Sequence, residues 1–197
     1  MDLTLVWRGP MVAGNFPGDV DAGLKLSTHG IYVRLKLYKS DRLVAYVGQL
    51  KNLLSRFEQH VTGVLSLVQQ LRGDKGNSIK FSGDGDIRAN TINNLKILGP
   101  IALSEAKRLR FIYALAEGGF DPNYLTLLES FLKHSADHNL KERMENVQSI
   151  NPSEFDHEIK IYQNFSLLKE KTRLLVRQII GPDPILIPAA KETLDCV

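Results

Sequence analysis

The stretch from Gly30 to Gln49 constrains the fold more than any other. In IYVRLKLY (31–38), Ile31, Val33, Leu35 and Leu37 alternate with Tyr32, Arg34, Lys36 and Tyr38. A period of two sends the two sets to opposite faces of a strand, one apolar and inward, the other polar and solvent-facing. KSDR (39–42) reads as a turn and LVAYVG (43–48) as a returning strand, so an antiparallel hairpin is predicted. From Asn52 the period changes. Leu53, Leu54, Phe57, Val61, Val64, Leu65 and Val68 recur at three- and four-residue steps, which predicts a helix capped by Asn52.

The flanking segments are less patterned. Residues 1–29 carry Leu3, Leu5 and Trp7 and then the turn formers Gly14, Asn15, Pro17, Gly18 and Gly23, which read as a short strand and an arm. Residues 73–94 are rich in Gly, Asp and Asn and read as a long excursion, within an insertion over about 72–104. RLRFIYAL (108–115) alternates again and predicts a third strand, and DPNYLTLLESFLKH opens a helix with Pro122 at its first position. A last helix is expected over about 157–180, with Lys169, Arg173 and Arg177 on one stripe, followed by a tail with three prolines. The expected fold is α+β: a small three-stranded antiparallel or mixed sheet flanked by helices over 30–151, and a helical extension over 152–197.

With 197 residues and 43% hydrophobic content, one domain with a sizeable core is expected. No apolar run approaches the roughly 18 residues of a membrane span. The first residues resemble no signal peptide, and the single Cys196 excludes an internal disulfide, so a reducing cytoplasm is the expected setting. A net charge of +3 is compatible with a nucleic-acid partner without requiring one.

Two Gly/Tyr triplets mark the hairpin, Gly30-Ile31-Tyr32 and Tyr46-Val47-Gly48, and Arg56 and His60 follow one helical turn apart. This order resembles the GIY-YIG nuclease superfamily over roughly residues 30–151. Tyr32 falls on the polar strand face beside Arg34 and Lys36. Tyr46 shares a face with Val44 and Gly48, which also suits a packing role. Arg56 offers a permanent charge and a planar fork for phosphate oxygens. His60 is a group that titrates near neutral pH.

The resemblance implies Tyr32, Tyr46, Arg56, His60, Glu129 and Asn146 as catalytic residues, with Glu129 the ligand of Mg²⁺ (or Mn²⁺). Glu129 lies between Leu125 and Leu132, where a carboxylate needs a partner; Glu105 and Glu117 are rivals, and Asn139 and Asn151 rival Asn146. The implied reaction is metal-assisted hydrolysis of a phosphodiester, with Tyr32 or His60 assisting removal of a proton from water. The implied partner is double-stranded DNA. The layout is most similar to type II restriction endonucleases of that superfamily, which implies a homodimer on a palindromic site. DNA contacts are expected from Arg34, Lys36, Lys80, Arg88, Asn90, Asn93, Lys169, Arg173 and Arg177. A structure-specific, phage or repair nuclease and an inactive DNA-binding member are the alternatives.

Overall fold

The computed structural model describes residues 2–13, 29–39, 41–79, 87–116, 122–140, 145, 158–181, 183–187 and 189. The elements run β1 (Asp2–Val12), β2 (Gly30–Leu37), β3 (Leu43–Leu50), α1 (Leu53–Leu65), α2 (Ile87–Arg108), β4 (Arg110–Ala116), α3 (Pro122–Leu140), β5 (Ile159–Asn164), α4 (Glu170–Ile180) and β6 (Ile185–Ile187).

The hairpin forms as expected. β2 and β3 pair antiparallel, with Tyr32 opposite Gly48 and Arg34 opposite Tyr46. β4 pairs antiparallel along the other edge of β2. The expected three strands are therefore neighbours, but the sheet extends further. It is mixed and six-stranded, in the order β3-β2-β4-β1-β5-β6.

The added strands lie outside the expected nuclease-like core. The short strand expected around Leu3, Leu5 and Trp7 is β1, and it is interior: it lies between β4, antiparallel, and β5, parallel, and both Leu5 and Trp7 are fully buried, while the arm expected after it lies outside the described residues. The register of β1 shifts between Arg8 and Met11, a stretch that holds Pro10, a residue with no N–H for a ladder. The helix expected over 157–180 is two elements. Ile159, Ile161 and Gln163 point inward at every second position, so residues 159–164 form β5, and α4 begins only at Glu170. The insertion also contains structure. α2 covers its second half and packs Leu98, Ala102 and Ala106 onto Val64, Leu67 and Leu71. Two alanines in that stripe make its apolar period faint in the sequence.

The sheet has a core on each face. Ile31, Val33 and Leu35 of β2 pack with Leu125, Leu128 and Leu132 of α3 and with Val176 and Ile179 of α4. On the other face Tyr32, Phe111 and Tyr113 meet Leu53 and Phe57 of α1. The polar face of β2 is therefore interior, not solvent-facing: Tyr32 is 0%, Arg34 4% and Lys36 1% exposed. Such burial of cations is tolerated only with opposite charge nearby, and Glu105 and Glu145 supply it. Among the described residues no helix is long and apolar enough to cross a membrane.

Candidate functional site

Each triplet glycine sits where a side chain would collide. A Cβ at Gly30 would lie 2.5 Å from the Ala114 carbonyl oxygen, and a Cβ at Gly48 would lie 2.5 Å from the Tyr32 hydroxyl. Gly30 lets β4 approach; Gly48 lets the Tyr32 ring lie across β3. That ring stacks on Phe111 at 4.5 Å and on Tyr46 at 5.9 Å between centroids. α1 starts where Asn52 accepts a hydrogen bond from the Ser55 N–H, and its register turns His60 inward over the Tyr32 ring. His60 Nε2 is 2.7 Å from the Tyr32 hydroxyl.

The other side of His60 fixes its tautomer. Arg34 Nη1 lies 2.8 Å from His60 Nδ1, and a guanidinium can only donate. Nδ1 therefore accepts, and the neutral ring carries its proton on Nε2, donating to the Tyr32 oxygen. Burial holds the His60 pKa down to about 3, with Arg34, Arg56 and Lys36 adding to the effect. Burial likewise raises the Tyr32 phenol well above its ordinary value, helped by Tyr46 and opposed by Arg56. Both groups are held neutral, which sets this arrangement against an ionised Tyr32 and against His60 as its proton acceptor.

In front of this buried pair lies an open cleft of about 470 Å³. Arg34, Tyr46, Arg56, His60, Arg72 and Glu145 line it. Tyr46 faces the cleft and Tyr32 stands behind it, so the tyrosine whose strand face also suits packing is the accessible one. The Arg34 guanidinium lies over the Tyr46 ring at 4.7 Å. Arg56 donates to Gln59 at 2.9 Å, and its Nε is buried without a hydrogen-bond partner among the described residues.

A row of buried charge runs on from the cleft. Lys36 Nζ donates to Glu105 at 3.1 Å, and the Tyr38 hydroxyl donates to the same carboxylate oxygen at 2.9 Å. Arg108 reaches the other oxygen of Glu105 at 3.3 Å. Glu145 is gripped by Arg34 and Arg72, with Lys36 at 3.8 Å. Burial raises the Glu145 pKa, but Arg34, Lys36 and Arg72 together outweigh it and hold the carboxyl below its ordinary value.

Tyr32, Tyr46, Arg56 and His60 thus come together, with Arg34 among them and Lys36 next in the row. Glu129 does not join them. It is carried by α3, which packs on the Ile31/Val33/Leu35 face of the sheet, and its carboxylate pairs with Lys133 at 2.8 Å. Lys169, Arg173 and Arg177 belong to the α4 segment on that same far face, where Arg177 lies over Phe165 at 5.1 Å. Asn146, Asn151, Lys80 and Glu117 lie outside the described residues, as do the side chains of Arg88, Asn90, Asn93 and Asn139.

Among the described residues, the carboxylates that could hold the expected metal are already paired. Mg²⁺ needs a carboxylate oxygen free to bind it. Both Glu145 oxygens are engaged by arginines, and Glu129 is paired on the far face. Among the described residues no group of three or more His, Cys, Asp or Glu could hold a metal ion. Glu145, Arg72 and Gln69 were not anticipated from the sequence. Arg72 and Gln69 follow α1 closely, but nothing in the spacing of Glu145 marks it.

No family model matches the chain, and neither a curated protein nor a solved structure matches it.

Proposed function

We propose that the cleft seats a phosphodiester and that the chain is a DNA endonuclease of the GIY-YIG type. On this reading it cuts double-stranded DNA at a specific sequence as a homodimer on a palindromic site, as a type II restriction enzyme does. The observation that supports it is the convergence of Tyr32, Tyr46, Arg56 and His60 on one cationic cleft.

Each residue has a role that its surroundings suit. Arg56 lines the cleft and offers its guanidinium to a non-bridging phosphate oxygen. Tyr46, stacked against the Tyr32 ring behind it, lines the cleft and offers its hydroxyl to the phosphate. Tyr32 and His60 position Tyr46 and stay neutral, so the cations of the cleft keep their charge for the substrate. Preorganised donors of this kind act on charge that grows in the transition state, each worth about 10²–10³ in rate.

A second reading has its own observation. Glu129 is tied to Lys133 and Glu145 to its arginines, so an inactive member that binds DNA without cutting it also suits the arrangement. Incubating supercoiled plasmid with the protein separates the two. Discrete bands with constant end sequences support the restriction-type nuclease, and nicking or smearing a less specific one. A gel shift without cutting means the binder. Parallel reactions with Mg²⁺, Mn²⁺ and EDTA read whether a divalent ion takes part.

A further inference from the structure

We propose that Glu145 occupies a phosphate subsite of the cleft and leaves it when a phosphate arrives. Arg34 Nη2 donates to Glu145 Oε2, and Arg72 Nε donates to Oε1 at 3.3 Å. A carboxylate spreads one negative charge over two oxygens. The non-bridging pair of a phosphodiester does the same, and an arginine fork accepts either.

The arginines are held without help from Glu145. Arg34 Nη1 is fixed by His60 Nδ1 and the Gln69 side-chain carbonyl, both at 2.8 Å. Arg72 Nη1 is fixed by the Gly76 carbonyl at 3.1 Å and the Ser78 hydroxyl at 3.2 Å. Glu145 is attached differently. Its main-chain N–H donates to Ala45 at 2.8 Å, and Ala45 belongs to β3, the edge strand of the sheet. The donors form a built site, and the anion in it arrives from the sheet edge.

Charge makes this an exchange rather than an opening. Among the described residues, Arg34, Lys36 and Arg72 would retain only Glu105 close by without Glu145, and that carboxylate also serves Arg108. Leaving buried cations uncompensated is costly, so another anion must take the place of Glu145. A phosphate reaching these arginines gains two prepared donors, Arg34 Nη2 and Arg72 Nε, and restores the balance. The identity of the anion rests on the reading of the cleft as a phosphodiester site.

Inorganic phosphate titrated calorimetrically into wild-type protein and Glu145→Gln tests the exchange. The variant is expected to bind about tenfold tighter, because an internal occupant present about nine-tenths of the time weakens apparent affinity by that factor. Adding Arg72→Gln to Glu145→Gln should remove the gain. If Glu145→Gln does not fold, the wild-type protein decides alone: the Glu145 amide, bonded to Ala45, should lose its hydrogen-exchange protection when phosphate saturates the protein. Equal affinities, or unchanged protection, overturn the proposal, and plasmid cutting would then still stand for the nuclease reading. Tighter phosphate binding by a variant of a protein that cuts no DNA supports the exchange and removes the nuclease.

Discussion

Gly48 and Tyr32 account for each other. The tyrosine ring occupies the space that any Cβ on residue 48 would need, and stacking on Phe111 and Tyr46 denies it an escape. Gly48→Ala is therefore expected to destabilise the fold by about 1–3 kcal/mol, the usual cost of overpacking, in a denaturant titration. An unchanged midpoint would mean that the ring can move aside. His60 makes a different prediction. Its pKa is about 3 in the fold and ordinarily 6.5. Above pH 6.5 both states are neutral and the full stability is present. As the pH falls from 6.5 towards 3 the unfolded chain takes up a proton that the folded one does not. Stability then drops by at most about 1.4 kcal/mol per pH unit. Glu145 adds its own loss only below about its ordinary value of 4.5, because its carboxyl is held lower in the fold. His60→Gln should therefore flatten the slope of unfolding measured between pH 6.5 and 5. An equal slope in the variant would contradict the burial of a neutral imidazole.

β1 is where local pattern and long-range pairing part. A short strand at the margin of the sheet would tolerate the loss of Trp7. An interior strand would not, and Trp7 is fully buried with its indole N–H donated to Gln163 at 2.5 Å. Trp7→Ala should cost about 3–5 kcal/mol in thermal or denaturant unfolding, whereas a change near zero would contradict an interior β1. The elements that could be read from the sequence are those whose period is complete within themselves: the β2–β3 hairpin, α1 with its Asn52 cap, β4, and α3 from Pro122. The strand at β1 is legible but its interior place is not, because that depends on partners far along the chain; β5 is hidden altogether, since Ile159-Lys160-Ile161 alternates too briefly to stand out from the helical stripe that follows. α2 was hidden for another reason: its buried positions include Ala102 and Ala106, which an apolar period scarcely registers.

The six-stranded sheet divides the chain into two compartments. On one face α1 and α2 enclose a row of tyrosines, arginines, Lys36, His60 and buried carboxylates that opens into the cleft. On the other, α3 and α4 seal an apolar core. The convergence of Tyr32, Tyr46, Arg56 and His60 is legible because a hairpin and the helix after it fix their relative placement over 29 positions, from Tyr32 to His60. Glu129 could not be placed, because the face that a later helix covers depends on where the chain crosses the sheet. The burial of Arg34 and Lys36 was also hidden, since their partners Glu105 and Glu145 arrive from distant segments. The cleft itself is best tested by plasmid cleavage with wild-type protein, Arg56→Ala and Tyr46→Phe, after circular dichroism has confirmed that all three fold. The wild type should cut, and each variant should cut at least about 100-fold more slowly. Full-rate cutting by both variants, or no cutting by the wild type with Mg²⁺, Mn²⁺ or EDTA, would contradict a phosphodiesterase site built on Tyr46 and Arg56.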